Sequence, residues 1–383
     1  MDNFIDQLPF FTPEHRTLAA DMESFVEREI ETRSAEERDV EGQLREFVSV
    51  LAKAGALHYA VASPGAKLDV RAVCLIREAL AYSSALADIA FVMQGLGTFA
   101  ISQAAPDHVR DFWLSRVVDG KAIAAFALTE PDAGSDVAAI KTTATRDGDT
   151  YVIDGRKRFI SNAGVADFYT VFARSGSDTN GRAALSAFVV SAKMPGFSVT
   201  ERTSMIASHP IGELEFKGCR VPAEDMVGSE GDGFVLAMRT MDTFRATVGA
   251  AACGMARRAL DESIRYSTTR KQFGRLLAEH QLIQEKLADM ITELDAARLL
   301  VYRAAHLKDS GAARVTREAS EAKYYATEAA CRIIDHAVQI HGGSGLVRGS
   351  VVERLYRDVR ALRIYEGTSE IQKLIIAGQL LKD

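Results

Sequence analysis

The sequence predicts an α+β fold, mainly α, in three consecutive domains: N-terminal all-α (residues 1–120), central β (121–226) and a C-terminal bundle of three or four helices (227–383). Three observations predict it. Apolar residues recur at helical spacing early and late in the chain. Short alternating runs bounded by turn residues fill the middle. Neither strand–helix–strand alternation nor an internal repeat occurs.

In the first domain, "HRTLAADMESFVEREIE" and "VRAVCLIREALAYSSALADIAFVMQGLGTFAI" carry the helical spacing. Pro64 and Pro106 punctuate it, and Pro106-Asp107 opens a further short helix. Near residue 121 the texture changes. "AIAAFAL" reads as a strand running to Thr129, and "KTTATRDGDTYVIDGRKRFIS" as a hairpin about Asp147-Gly148. "FYTVFAR", "LSAFVVS", "FSVTER" and "GELEFKGCRV" supply further strands. After residue 232 long helices return. Ile283, Leu287, Met290, Ile291, Leu294 and Val301 form one apolar stripe. Val315, Ala319, Ala322, Ala326, Ala330, Ile333, Ala337 and Ile340 form another, stopped by Gly342.

An apolar fraction of 47% with 26% charged residues is that of a globular chain with large cores. A net charge of −6 argues against a surface that coats nucleic acid. Four scattered cysteines without a C-x-x-C pair favour reduced thiols. The first residues lack a signal-peptide pattern and no run of eighteen apolar residues is read, so a cytoplasmic protein with no membrane span is expected.

Four stretches invite chemistry. "ALTEPDAGSD" is a strand end followed by a loop of exposed amides and hydroxyls, suited to a polar cofactor or to an ordinary turn. "GGSGLVRG" is not a dinucleotide fingerprint, because it follows a helix rather than a strand. "TTRKQFGRLLAEHQ" is either a solvated basic turn or a pyrophosphate clamp, and spacing alone leaves both open. In "IYEGTSE", Glu366 lies at a helix joint between Tyr365 and Gly367, as a helix-dipole acid or as a catalytic base. His336 and His341 are five apart with no paired acid, so no metal site is expected.

Taken in order, "FALTEPDAGSD" with "GRKRFISNAG", "RKQFGRLLAEHQ", "QIHGGSG" and "YEGTSEIQ" resemble the acyl-CoA dehydrogenase family over nearly the whole chain. The resemblance implies a helical N-terminal domain, a central β-barrel-like domain and a C-terminal four-helix bundle, with flavin adenine dinucleotide (FAD) between the β domain, the bundle and a neighbouring subunit. Phe126, Leu128 and Thr129 match the strand end at the flavin ring, Gly134 and Ser135 the pyrophosphate loop, and Phe159 and Ser161 the stacking aromatic and the hydroxyl at N5. Ser135 also matches an acyl-CoA contact. Arg270, Phe273, Gln281, Gln339, Gly342 and Gly343 match residues that reach a partner subunit's cofactor, and Thr368 and Glu370 positions near the adenosine half. Asp242 and Arg245 match a substrate-side pair.

On this resemblance Glu366 removes the α-proton of an acyl-CoA while a hydride passes from Cβ to flavin N5, giving the trans-2-enoyl thioester. Tyr365 walls the pocket and Gly367 gives the thioester room. Some members carry the base at the position of Phe244, which cannot accept a proton. The implied partners are acyl-CoA, an electron-transferring flavoprotein and further copies of the chain in a dimer or tetramer. Same-fold alternatives are an acyl-CoA oxidase, an acyl-carrier-protein thioester dehydrogenase and an enoyl-CoA reductase. A non-catalytic scaffold is disfavoured, since it has no need of both Glu366 and the flavin motifs. Departures are Phe159 for the usual tryptophan, Ser161 for threonine, a shortened turn at "YAVASPGAKLDV", and the idiosyncratic "ASHPIGELEF".

Overall fold

The computed structural model describes residues 4–34, 39–177 and 183–382. The N-terminal helices are α1 (Phe4–Gln7), α2 (Pro13–Phe25), α3 (Val40–Lys53), α4 (Leu57–Ala60), α5 (Val70–Ser83), α6 (Ala85–Ala104) and α7 (Asp107–Val118). The strands follow: β1 (Ala124–Ala127), β2 (Thr143–Asp147), β3 (Thr150–Ser161), β4 (Phe168–Ser177), β5 (Ala183–Ser191), β6 (Phe197–Arg202), β7 (Ile211–Pro222) and β8 (Met226–Val227). Then come α8 (Gly233–Ser267), the small hairpin β9 (Lys271–Gln272) and β10 (Arg275–Leu276), α9 (Gln281–Asp309), α10 (Thr316–His341), α11 (Val351–Val359) and α12 (Ser369–Leu380).

Local chemistry sets the breaks. The long apolar run of the first domain divides at Ser84, whose extended backbone ends α5 and whose hydroxyl accepts the Ala87 N–H at 3.2 Å to start α6. Strand β1 stops at Ala127, short of the expected Thr129. The Lys157 ammonium takes the Leu128 carbonyl at 3.0 Å and the Arg158 N–H takes that of Thr129 at 2.9 Å. These bonds turn the segment off the sheet.

The sheet runs β6-β7-β3-β2-β4-β5-β8, with β1 pairing parallel to β4. Its largely antiparallel pairing around the Asp147-Gly148 turn is the expected hairpin, with Asp147 opposite Thr150. Helix α6 lies against β1: the buried Gln94 side-chain carbonyl accepts the Ala124 N–H at 3.0 Å. With mean hydropathy 1.5 over its most apolar stretch, α6 is long and apolar enough to cross a membrane by length and composition alone, although Asp88 and Gln94 keep it from being an unbroken apolar run. Here 83% of its most apolar stretch is buried, as in a core helix.

The bundle core is dominated by alanines of α8 and α10, which let the two helices approach closely. On α9, Met290 and Leu294 face this core, whereas Ile291 is 42% exposed, contrary to the expected stripe. It sits one residue, or about 100°, round the helix from Met290. Two buried ion pairs brace the helices, the first within the N-terminal domain and the second between it and the bundle. Arg77 of α5 forks onto Asp88 of α6 at 2.7 Å for both bonds, and Glu78 of α5 accepts from Arg298 of α9 at 2.8 Å and from the Tyr302 hydroxyl at 2.7 Å. All four cysteines are free thiols, and burial pushes those of Cys74 and Cys253, on α5 and α8, well up.

Where α5 meets α8, a Cβ on Gly254 would press into the Glu78 carbonyl, a backbone atom with no room to yield. Gly254→Ala is therefore expected to cost about 1–3 kcal/mol, the range of overpacked cores, read as a lowered midpoint in thermal denaturation.

Candidate active site

The loop holding Glu366 is built by the ends of two helices. A 3₁₀ turn over Arg360–Arg363 extends α11, and Thr368 caps α12 by accepting the Ile371 N–H at 3.3 Å. Between them Glu366 takes φ 53° and Gly367 φ 89°. Only glycine enters this left-handed region freely, so Glu366 is held there by its surroundings. The Gln372 amide donates to the Glu366 carbonyl at 3.1 Å and to that of Gly367 at 3.0 Å. From α10, the Lys323 ammonium donates to the Gly367 carbonyl at 2.7 Å.

The same clamp sets the electrostatics. Burial pushes the Glu366 carboxyl above the usual carboxylate range, against the pull of Arg77, Lys323 and Arg245, while Asp88 adds to the rise. Glu366 Oε2 is buried and has no hydrogen-bond partner. Lys323 is itself withdrawn from water and pushed down to about 8. Arg77 is fixed by Asp88 and by the Thr247 hydroxyl, to which it donates at 2.8 Å. It also meets the Tyr365 phenol, which burial pushes up.

On α8, Asp242 and Arg245 form the expected pair at 2.8 Å, and the Thr316 hydroxyl donates to Asp242 at 3.3 Å. Arg245 Nε is buried and unpartnered. Phe244, between them, is buried with its ring edge-on to Phe99 at 5.9 Å and hard against Gly95.

The β domain offers a second face. Phe126, Leu128 and Thr129 lie where β1 leaves the sheet, tied to β3 by the Arg158 N–H and by Lys157, which also donates to Glu130 at 2.8 Å. Phe159 takes φ 55° and leaves its ring 51% exposed under the Arg158 guanidinium. Ser161, two residues on, shares a 2.8 Å hydrogen bond with His209. Gly134 and Ser135 are exposed, and a Cβ on Gly134 would meet open space. A cavity of about 1120 Å³ separates the domains, with Ala163, His209 and Pro210 on the β side and Glu328, Cys331 and Arg363 on the helical side. Glu328 joins it to the base loop, accepting the Ser369 hydroxyl at 2.6 Å. Glu366 is not among the residues that line it.

The remaining candidates lie elsewhere. Arg270, Phe273, Gln281, Gln339, Gly342, Gly343 and Glu370 are exposed, with Phe273 94% exposed at the tip of the β9–β10 hairpin. Sequence reasoning missed Arg77, Lys323 and Gln372, which carry the base loop. A lysine inside an alanine stripe (Ala322-Lys323) was the one available signal.

An α–β–α chain with a desolvated carboxylate on its helices, and an aromatic and a hydroxyl presented by its sheet, has the build of a flavin-dependent oxidoreductase. Family profiles then match most of the chain: the acyl-CoA dehydrogenase N-terminal domain over residues 12–121, the middle domain over 125–219 and the C-terminal domain over 231–381. The chain belongs to the acyl-CoA dehydrogenase family. It is 39% identical over 383 residues to a 3-(aryl)acrylate reductase of Clostridium sporogenes, covering 97% of this chain and 100% of that one. It is 36% identical over 379 residues to the caffeyl-CoA reductase-Etf complex subunit CarC of Acetobacterium woodii, again covering 97% and 100%. The solved butyryl-CoA dehydrogenase of Megasphaera elsdenii superposes with a TM-score of 0.88 at 35% identity, over 97% of this chain and 99% of that one.

Because Lys323 favours the ionised form of Glu366, Lys323→Met is expected to move the carboxyl's titration to higher pH still. Carbon-13 NMR of labelled glutamate measures this. An unmoved titration would show that the Lys323 charge does not reach the base.

Proposed function

We propose that this protein is an FAD-dependent acyl-CoA dehydrogenase in which Glu366 removes the α-proton of the thioester. One observation carries the reading: a carboxylate with a buried, unpartnered oxygen, fixed in a left-handed conformation by Lys323 and Gln372. Such an oxygen is an acceptor awaiting a proton. Its raised pKa brings its basicity closer to that of a carbon acid. Arg77, Lys323 and Arg245 oppose the rise by favouring the ionised form, the form that accepts a proton. Tyr365 excludes water on one side, and Gly367 leaves the backbone close to the substrate.

FAD, when bound, supplies the two-electron acceptor for the β-hydride. The exposed Phe159 ring and the open approach at Gly134 fit a planar ring and its pyrophosphate. Phe126, Leu128, Thr129, Ser135, Ser161, Thr368 and Glu370 would complete the hold. In a dimer or tetramer, Arg270, Phe273, Gln281, Gln339, Gly342 and Gly343 would reach a partner's cofactor; their exposure in the single chain is what such a role requires. An electron-transferring flavoprotein is the proposed acceptor, and the cytoplasm the proposed compartment.

A second reading runs the same site in reverse, with Glu366 as the acid that protonates Cα of an enoyl thioester. The two full-length relatives named as aryl-propenoate or caffeyl-CoA reductases favour it.

Anaerobic titration with straight, cyclic and aryl-substituted acyl-CoAs, following flavin bleaching, tests the first reading; titration of the reduced protein with the matching enoyl thioesters tests the second. Glu366→Gln is expected to keep its flavin and bleach at least about 10²-fold more slowly. Bleaching at the wild-type rate would remove Glu366 from its role. Arg270→Ala is expected to weaken flavin retention, measured by fluorescence of released flavin on dilution, and unchanged retention would exclude its cofactor contact.

A further inference from the structure

The segment "ASHPIGELEF" has no place in the reaction as described so far. Residues 203–210 join β6 to β7 and are pinned at three points. The Thr203 N–H donates to the Ile211 carbonyl at 2.9 Å, the Asn162 N–H to that of Pro210 at 2.8 Å, and the Arg357 guanidinium to that of Ile206 at 3.2 Å. The loop thereby carries His209 to the end of β3, where its Nε2 lies 2.8 Å from the Ser161 hydroxyl. Burial alone pushes the imidazole down to about 4, so near pH 7 the ring is neutral.

A neutral imidazole nitrogen accepts a hydrogen bond in one tautomer and donates one in the other. Ser161 has a single proton to place. With Nε2 as acceptor, that proton points at His209 and the oxygen's remaining lone pair is free to accept from elsewhere. With Nε2 as donor, the serine proton is free to be given elsewhere. We propose that His209 is a positioning residue that sets which way the Ser161 hydroxyl is presented to the flavin edge. The inference rests on the reading that the flavin lies against Ser161. Its consequence is that the serine can serve an edge nitrogen that accepts, as in the oxidised ring, or one that carries hydrogen, as in the reduced ring. Only a tautomer changes, and no side chain has to move. The histidine thereby acts on the balance between oxidised and reduced cofactor and leaves proton abstraction at Glu366 alone.

The test uses the purified holoprotein without substrate, reading the absorption spectrum and midpoint potential of the bound flavin. His209→Leu removes the partner, His209→Gln keeps a group that both donates and accepts, Ser161→Ala removes the hydroxyl, and the Ser161→Ala/His209→Leu double variant closes a cycle. The expected result is a shifted potential in His209→Leu, recovery toward wild type in His209→Gln, and no added shift from His209→Leu once Ser161 is alanine. An equal shift with and without the hydroxyl would overturn the proposal, as would a wild-type potential in His209→Leu. Should His209→Leu fail to fold, Asn and Gln replacements compared in both backgrounds decide the same question: a difference between them that survives Ser161→Ala overturns it. A yellow Ser161→Ala protein with unaltered spectrum and potential sinks the prior reading that the flavin lies against Ser161, and the proposal with it.

Discussion

A carboxylate withdrawn from water is the constraint on which the rest of the site depends. The Glu366 carboxylate has a buried, unpartnered oxygen, so its charge is costly, and its loop is bent into a conformation that side chains avoid. Neither condition is stable alone. The molecule answers both with the same groups. Lys323 holds the loop through the Gly367 carbonyl and offsets the charge, and Arg77 offsets it from α5 while Asp88 holds Arg77 in turn. Helices from the first domain and from the bundle must therefore be docked before the carboxylate can be ionised where it stands. This ties the N-terminal domain to the chemistry through Arg77 and Asp88, which act on the charge of Glu366 from a distance.

Among the described residues four that are not glycine have positive φ: Phe159, Asn162, Phe273 and Glu366. Three of them are residues that the sequence motifs had marked as functional, and Asn162 adjoins Ser161. Asn162 is stabilised by its side chain, which donates to the Ala124 carbonyl at 2.9 Å. The others have no such local relief, and backbone strain of this kind collects where a ligand or partner will make use of it. The strained positions thus trace the sheet face, the exposed hairpin tip and the base loop without reference to any motif.

How much of this was legible in the sequence depended on the range of the interaction. The hairpin about Asp147-Gly148 and the Gly342 stop are local events, and each is present where the residues placed it. The alanine stripe of α10 is equally local and is buried as read. The strand end at Ala127 was misplaced because Lys157, thirty residues on, takes a carbonyl that would otherwise have continued β1. Ile291 was misread because an apolar residue beside a stripe looks like part of it until the helix is turned. In the site, Glu366 stood out as an acid in an odd place. Arg77, Lys323, Gln372 and His209 did not, since each acts across a tertiary contact with no pattern in its own neighbourhood. "ASHPIGELEF" is unusual in the sequence alone, and the hydrogen bond between its His209 and Ser161 gives the segment a physical role.

The four free thiols give the molecule a property unrelated to its reaction. Cys74 and Cys253 lie in the seam where α5 packs on α8, beneath the Arg77 that steadies the base. Buried and protonated, they are poor nucleophiles toward alkylating reagents while the seam is closed. Any opening that bares them also separates the helices that compensate the Glu366 charge. Their rate of alkylation is thus a clock for the breathing of the catalytic core, built into the wild-type chain and requiring no introduced label.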